Sequence, residues 1–316
     1  MNAVEVSRLT KIYQAGRGKP PLRAVDGIDF TVCRGEIFGF LGPNGAGKTT
    51  TIRMLTGLTR PTSGGAEVLG YDLARNLTRI KKCTGVVPET SNLYDELTAF
   101  DNLIFAMQLY GVPRRERAPR AEALLDRFRL REKRDTPFAR LSRGMKRALT
   151  IAAALAHHPQ LIFLDEPTTG LDVMSARSLR RTVAGLRDEG VTIFLTTHYL
   201  EEAERLCDRV AIIVNGHVVA LDTVSGLKAA AQDTVVVELT LADANGHVET
   251  RRIESRDDTA TTVRAGLAQA ENDGLRVQAV NTVHPTLEDV FVTLTGLSAE
   301  TMLAEKERKG PGNAGG

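Results

Sequence analysis

A glycine-rich segment between an apolar run and a helical pattern constrains this chain more than any other feature. The pattern G-x-x-x-x-G-K-[ST] is matched at every position by Gly42-Pro43-Asn44-Gly45-Ala46-Gly47-Lys48-Thr49-Thr50. Glycines let the backbone bend and bring its N–H groups close to phosphate oxygens. A helix starting near Lys48 points its free N–H groups at the same oxygens. The alternative, a plain glycine turn, is disfavoured because every position is filled. The segment therefore predicts a phosphate-binding loop that holds a nucleoside triphosphate, with Lys48 on the β- and γ-phosphates.

Two buried strands are predicted to end in polar side chains that suit phosphate chemistry. Asp165 and Glu166 follow the apolar run Leu161–Leu164, and His198 follows Val191–Thr197. Open α/β sheets bind ligands at the carboxyl ends of their strands. Asp165 and the Thr49 hydroxyl are predicted to ligate Mg²⁺, and Glu166 to orient or deprotonate the attacking water. His198 is predicted to hydrogen-bond the γ-phosphate. The alternatives are a helix N-cap for the acidic pair and a structural role for the histidine.

Composition narrows the class of protein. The 41 basic and 39 acidic residues give a net charge of +2, so no nucleic-acid partner is expected, because binding nucleic acid requires a basic surface. Cys33, Cys83 and Cys207 are far apart and fit no metal spacing, which favours reduced thiols in the cytosol. The N-terminus lacks the apolar core of a signal peptide. No apolar run approaches the roughly 20 residues of a membrane helix, so any membrane is expected to be crossed by another chain.

The order of strand and helix patterns predicts the fold class and the domains. Strands and helices alternate up to residue 230, which predicts an α/β core with a parallel sheet, preceded by an antiparallel β region containing the strands Leu22–Phe30 and Thr31–Phe38. A helical region is predicted at about residues 89–160. A small α+β domain is predicted over residues 231–297, with a hairpin turn at Asn245-Gly246. Residues 298–316 are predicted to be a disordered tail.

These motifs, in this order, resemble those of the ATP-binding cassette (ABC) ATPases from Val4 to about Leu227. The resemblance implies ATP and Mg²⁺ as ligands and adds Tyr13, Ser142, Gly144 and Asp172 to the site. It assigns an adenine-stacking role to Tyr13, the signature motif to Leu141–Met145 with Ser142 and Gly144, the D-loop to Gly170-Leu171-Asp172, and the switch histidine to His198. In the family, the signature helix faces the γ-phosphate held by the other subunit. A second copy of this chain, or a paralogous cassette, is therefore an expected partner.

Two positions depart from the family pattern. Glu89 stands where the family usually has glutamine, whose neutral oxygen faces Mg²⁺ and the water. Arg143 stands where the signature usually has glycine, which allows the backbone to approach phosphate closely. Glu89 is still expected to ligate Mg²⁺ and to act in catalysis. Hydrolysis is expected to survive, because neither change alters Lys48 or Glu166.

A narrower resemblance is to the ATP-binding subunits of type-2 ABC exporters, including daunorubicin-type resistance subunits. It rests on Val87-Pro88-Glu89, on Gly144-Met145-Lys146-Arg147 and on the run from His284 to Phe291. The resemblance implies integral membrane permease subunits that dock on the helical region, and a cytoplasmic location at the inner face of the cell membrane. Two alternatives stay open. One is a soluble ABC ATPase not tied to transport, and the other is a nucleotide-sensing module with reduced hydrolysis.

Overall fold

Short buried strands alternate with helices along most of the chain and produce an α/β architecture. The computed structural model describes residues 1–14, 20–230, 235–243, 247–255, 258–283 and 285–297. The chain divides into two compact units after Leu221, whereas the predicted boundary follows residue 230. In chain order the strands and helices of the first unit are β1 (Asn2–Tyr13), β2 (Leu22–Cys33), β3 (Ile37–Leu41), α1 (Lys48–Leu55), β4 (Ser63–Val68), β5 (Tyr71–Asp72), α2 (Leu77–Cys83), β6 (Thr84–Val87), α3 (Ala99–Leu109), α4 (Arg114–Arg127), α5 (Arg143–Leu155), β7 (Leu161–Asp165), α6 (Val173–Asp188), β8 (Thr192–Thr197), α7 (Leu200–Leu206), β9 (Arg209–Val214) and β10 (His217–Thr223).

The central sheet has six strands in the order β10-β9-β3-β8-β7-β6. The pairs β9–β3, β3–β8, β8–β7 and β7–β6 are all parallel. Every residue of β3, β7 and β8 is buried, as expected for strands covered on both faces. Because these three strands are neighbours and run in the same direction, the segments that follow them meet at one edge of the sheet. The predicted α/β core with a parallel sheet is confirmed.

A second sheet, in the order β2-β1-β4-β5, pairs β1 antiparallel with both β2 and β4. The predicted antiparallel β region is therefore confirmed. The prediction of two strands at Leu22–Phe30 and Thr31–Phe38 is wrong, because β2 runs unbroken to Cys33. The chain turns only at Gly35, where φ is +76°. Five phenylalanine side chains pack in the core that joins β2 to the central sheet: Phe30, Phe38, Phe40, Phe163 and Phe194. The centroids of contacting rings lie 5.4–6.0 Å apart.

The helical region is inserted between β6 and β7. Helix α3 begins after Thr98, whose side chain accepts a hydrogen bond from the backbone of Asp101 and so satisfies a free N–H group. Helix α5 begins after Ser142 in the same way. Buried apolar residues on α3, α4 and α5 pack the three helices together: Leu103, Met107, Ala121, Leu125, Leu149 and Ala152. The start of α5 is left at the protein surface.

The second unit forms a three-stranded antiparallel sheet in which β11 (Val235–Ala242) lies between β12 (Val248–Ser255) and β13 (Arg276–Val283). Its buried core includes Val237, Leu239 and Leu241 of the central strand and Ala270 of the packed helix. The α+β prediction is confirmed for the described part of this unit. The predicted turn at Asn245-Gly246, His284 and the predicted tail from residue 298 lie outside the described residues. The elements of this unit are α8 (Val224–Ala230), β11 (Val235–Ala242), β12 (Val248–Ser255), α9 (Thr259–Asn272), β13 (Arg276–Val283) and α10 (Leu287–Thr295).

Candidate nucleotide site

The predicted phosphate loop, residues 42–50, joins β3 to α1 and is held tightly against the sheet. Gly47 is the N-cap of α1 with φ of 112°, a value that residues with side chains rarely adopt. A Cβ atom on Gly42 would lie 2.1 Å from the backbone oxygen of Ile213. Gly47 has no side chain with which to cap α1, so the N–H groups at the helix start are available to an anion. The loop therefore has the backbone form that a phosphate chain requires.

Two side chains of the loop supply further donors. The Lys48 side chain is 5% exposed and its Nζ lies 3.1 Å from Glu166 Oε1. The same ammonium donates to the backbone oxygen of Gly42 at 2.6 Å. Asn44 Nδ2 is buried and has no hydrogen-bond partner among the described residues. A buried donor without an acceptor is costly, and its place in this loop suits an anionic ligand.

Asp165 ends β7 beside the phosphate loop. Its Oδ1 accepts hydrogen bonds from Thr196 Oγ1 at 2.6 Å and from Thr49 Oγ1 at 3.3 Å. Burial raises the pKa of Asp165, although both hydroxyl groups act to lower it. Adjacent carboxylate and hydroxyl oxygens are hard ligands of the kind that Mg²⁺ prefers. The described residues contain no group of three or more His, Cys, Asp or Glu side chains that could hold a metal ion.

Glu166 lies between two basic side chains. Its Oε2 is 2.7 Å from His198 Nδ1, and its Oε1 contacts Lys48. Burial acts to raise the pKa of Glu166, but the hydrogen bond from His198 and the charge of Lys48 outweigh it and lower the pKa to about 2. Glu166 also has φ of +47°, which strains a residue with a side chain. Lys48, Glu166 and His198 thus form one buried network across the ends of β3, β7 and β8.

The signature residues form a second cluster, with the predicted D-loop. Ser142 caps α5, and Asp172 caps α6 by accepting hydrogen bonds from the Ser175 backbone N–H and hydroxyl. A Cβ atom on Gly144 would lie 2.6 Å from Ser175 Oγ, so the start of α5 is packed closely on α6. Hydrogen bonding to Ser175 also lowers the pKa of Asp172.

Arg143 is directed towards this second cluster. Its Nη1 donates to the backbone oxygen of Gly170 at 2.9 Å. The guanidinium is therefore turned onto the predicted D-loop. Ser142 and Arg143 at the start of α5 are exposed and Gly144 is half-buried.

The two other predicted site residues lie at the margins. Glu89 is exposed in the loop after β6, and its charge is near enough to act on Asp165, whose pKa it helps to raise. Tyr13 ends β1 opposite Leu22 and is half-buried. The Lys11 ammonium lies 5.1 Å from the centre of its ring. Residues 15–19, which follow Tyr13 closely, are outside the described part of the chain.

Sequence reasoning missed two residues that contact the site. Thr196, which binds Asp165, could have been noticed as a hydroxyl residue near the end of a buried strand. In the sequence, Arg147 stands out only as part of the run Gly144-Met145-Lys146-Arg147, which resembles the type-2 exporter subunits. Its buried guanidinium binds backbone oxygens on both sides of Glu166, a contact that leaves no pattern in the sequence.

The chain is similar to known proteins over most of its length. A family model described as ABC transporter matches residues 25–169. The daunorubicin/doxorubicin resistance ATP-binding protein of Streptomyces peucetius is 37% identical, with 96% of each chain covered. The linearmycin resistance ATP-binding protein of Bacillus subtilis is 36% identical over 86% of this chain and 93% of its own.

Solved structures of ABC cassettes are also similar to this chain. The ATP-binding subunit of an ABC transporter matches with a TM-score of 0.63 and 34% identity, over 72% of this chain and 92% of its own. A dimeric ATP-binding cassette in a post-hydrolysis state with ADP and phosphate matches with a TM-score of 0.64 and 26% identity, over 70% of this chain and 98% of its own. Among the described residues, no helix combines the length and the apolar character needed to cross a bilayer.

Proposed function

The chain belongs to the ABC transporter family of ATP-binding proteins and is an ATPase, and from this premise we propose that it powers export through separate membrane subunits. The observation that carries the ATPase part of the proposal is the buried network of Lys48, Glu166 and His198 beside the phosphate loop. A glycine turn or a helix cap does not need a buried lysine paired with a strained glutamate. The relatives named for drug resistance support export as the direction of transport.

In this proposal the residues of the first network handle the nucleotide of their own chain. Lys48 and the N–H groups of α1 bind the β- and γ-phosphates, and Tyr13 stacks on the adenine. Thr49 and Asp165 hold Mg²⁺, with Glu89 nearby. When bound, Mg²⁺ neutralises phosphate charge and polarises the γ-phosphate.

Glu166 is the proposed base that orients and deprotonates water. A base works best with a pKa near the working pH, whereas the hydrogen bond from His198 and the charge of Lys48 outweigh the effect of burial and lower the pKa of Glu166 to about 2. Phosphates that bind the loop compete for the Lys48 ammonium and bring negative charge close to the carboxylate. Both effects raise the pKa of Glu166.

His198 is the proposed contact to the γ-phosphate. Its Nδ1 donates to Glu166, which leaves Nε2 for a phosphate oxygen.

We place the second cluster on the nucleotide of a partner cassette. The start of α5 exposes free N–H groups at Ser142 and Gly144, and a helix start suits a phosphate anion. Within this cluster, Arg143 donates a hydrogen bond to the backbone oxygen of Gly170, and Ser175 donates to Asp172. A matching dimeric cassette supports a two-chain arrangement. The partner is a second copy of this chain or a paralogous cassette.

The ATPase rate of the purified chain, measured against its own concentration, tests this arrangement. Lys48→Ala supplies the blank, because loss of the ammonium weakens nucleotide binding. We expect the rate per molecule to rise with concentration, since two copies must meet to complete each site. A rate above the blank that does not change with concentration contradicts the two-chain site. A rate at the blank level for every concentration contradicts catalysis by a homodimer of the isolated chain and means that the sites need the membrane subunits or a paralogous cassette.

A groove between the helical region and the segment that contains α2 offers a place for the membrane subunits. It has a volume of about 1010 Å³ and is lined by residues that include Leu58, Lys81, Leu109, Tyr110 and His157. Leu58 is 67% exposed and Leu109 is 71% exposed, so the groove presents apolar side chains to solvent beside basic ones. We propose that a short cytoplasmic helix of the permease packs here, with apolar and acidic side chains facing the groove.

Photo-cross-linking from position 109 tests this docking. A photoreactive residue replaces Leu109 in cells that contain the complete transporter. We expect an adduct with a protein that has several membrane spans. Position 219 is the matched control, because Val219 is also exposed, at 44%, but lies on β10 at the far edge of the sheet. Equal adduct formation from both positions, or none from position 109, contradicts docking in the groove.

A further inference from the structure

Arg147 is a buried cation of helix α5 whose donors all reach backbone oxygens. The residue is 6% exposed. Its Nε donates to Pro167 at 2.8 Å and its Nη2 to Asp165 at 2.9 Å. Its Nη1 donates to Pro88 at 2.5 Å and to Glu89 at 3.3 Å. One guanidinium therefore joins the signature helix to the loop after β6 and to the loop after β7.

The contacts after β7 enclose Glu166. Asp165 and Pro167 are its two chain neighbours, and Arg147 binds the carbonyl groups of both. Glu166 has φ of +47°, a conformation that persists only where surrounding contacts enforce it. The backbone N–H of Glu166 is held from the other side by the backbone oxygen and hydroxyl of Thr196, each at 3.1 Å. The strained residue is thus fixed between Arg147 and β8.

The positive charge of Arg147 lies near several negatively charged side chains. The carboxylates of Glu89, Asp165, Glu166 and Glu202 all act on this guanidinium. Burial lowers the pKa of Arg147 to about 10, against the opposing effect of those carboxylates, so the side chain is charged at neutral pH. A buried cation among several acids offsets their mutual repulsion.

We propose that Arg147 is a positioning residue that fixes the backbone of Glu166 and of the Glu89 loop relative to the signature helix. The inference rests on the proposed function only in assigning Glu166 the role of base. Because α5 belongs to the helical region, a displacement of that region reaches Glu166 and Glu89 through the same guanidinium. Arg147 acts through these residues and does not itself touch the nucleotide of its own chain.

The test compares Arg147→Lys with Arg209→Lys in the full chain. Lysine keeps the charge but has no planar fork to bind several carbonyl groups at once. Arg209 is a matched control, because it is a partly buried arginine that binds Glu36 and a backbone oxygen of β2, away from the nucleotide site. Hydrogen exchange of the backbone amides at residues 165–170 gives a readout that requires no catalysis. The kcat and KM for ATP give the second readout.

For Arg147→Lys we expect amide exchange at residues 165–170 to become about tenfold faster. We expect kcat to fall about 10- to 100-fold, as for other misplaced catalytic groups, with KM changed less than about threefold. In a Glu166→Gln background the same change should lower kcat no further, because residues that act as a unit are not additive. Arg209→Lys should leave exchange in this segment and kcat as in the parent.

Three outcomes overturn the proposal. The first is unchanged exchange at residues 165–170 in Arg147→Lys. The second is a full additional loss of kcat in the Glu166→Gln background. The third is loss of the fold in both Arg147→Lys and Arg147→Gln, which makes the residue a general stabiliser. A failure of docking on membrane subunits alters none of these readouts, so it is distinguishable from a failure of this proposal.

Discussion

Replacing Glu166 by glutamine should lower the rate of ATP hydrolysis by about 10²- to 10⁴-fold, the range for loss of a positioned base. Glutamine has nearly the same shape but cannot accept a proton from water. Nucleotide affinity should stay close to that of the parent, because Lys48 and the loop are intact. Release from the carboxylate also leaves Lys48 fully available to phosphate. Single-turnover hydrolysis and equilibrium ATP binding measure the two effects separately.

Glu202→Gln is the control for this change. Glu202 is also a buried glutamate, 3% exposed, and accepts hydrogen bonds from Thr168 and Thr197 at 2.9 Å. It has no contact with Lys48 among the hydrogen bonds and ion pairs of the described residues. We expect less than about a tenfold loss of rate, since a glutamine oxygen can still accept these bonds. Equal losses in the two variants remove Glu166 from the role of base.

The parts of the site that the sequence predicts are those in which chemistry lies in contiguous residues. The phosphate loop is one uninterrupted run, and its neighbouring strand and helix identify its context. Asp165 ends a buried strand, Glu166 and His198 each follow one, and carboxyl ends of parallel strands meet at one edge. The adjacency of β3, β7 and β8 follows from none of these runs. It depends on pairing between strands that are far apart in the chain.

Contacts between a side chain and backbone groups far away in the chain cannot be predicted from patterns of contiguous residues. Arg147 lies 59 residues from Pro88, which it binds, and backbone oxygens carry no residue-type signal. Arg143 shows the same limit, because its sequence position predicts crowding at the phosphate whereas its side chain turns onto Gly170. The small second unit is easier to predict, since a hairpin and the helices that flank it are local patterns. The wrong prediction of two strands, divided after Phe30, also has a local cause, because β2 continues to Cys33, just before the turn at Gly35.

Replacing Gly47 by alanine should nearly abolish ATP binding and destabilise the first unit. Gly47 has φ of +112°, and a Cβ atom there would lie 2.5 Å from the backbone oxygen of Ala24. Backbone strain and overpacking each cost about 1–3 kcal/mol, so we expect a loss of about 3–5 kcal/mol in unfolding free energy. Relief of the clash must move the start of α1, which binds the phosphates. Urea unfolding and ATP titration measure the two effects.

Gly65→Ala separates this mechanism from a general effect of glycine replacement. Gly65 lies on β4, has no positive φ, and a Cβ atom there would meet no atom within 4 Å. Its replacement should change the unfolding free energy by less than about 0.5 kcal/mol and leave ATP affinity unaltered. If Gly47→Ala binds ATP with the affinity of the parent, the phosphate loop tolerates a side chain at position 47. The backbone N–H groups at the start of α1 would then not be the main phosphate ligands, and binding would depend on the Lys48 ammonium.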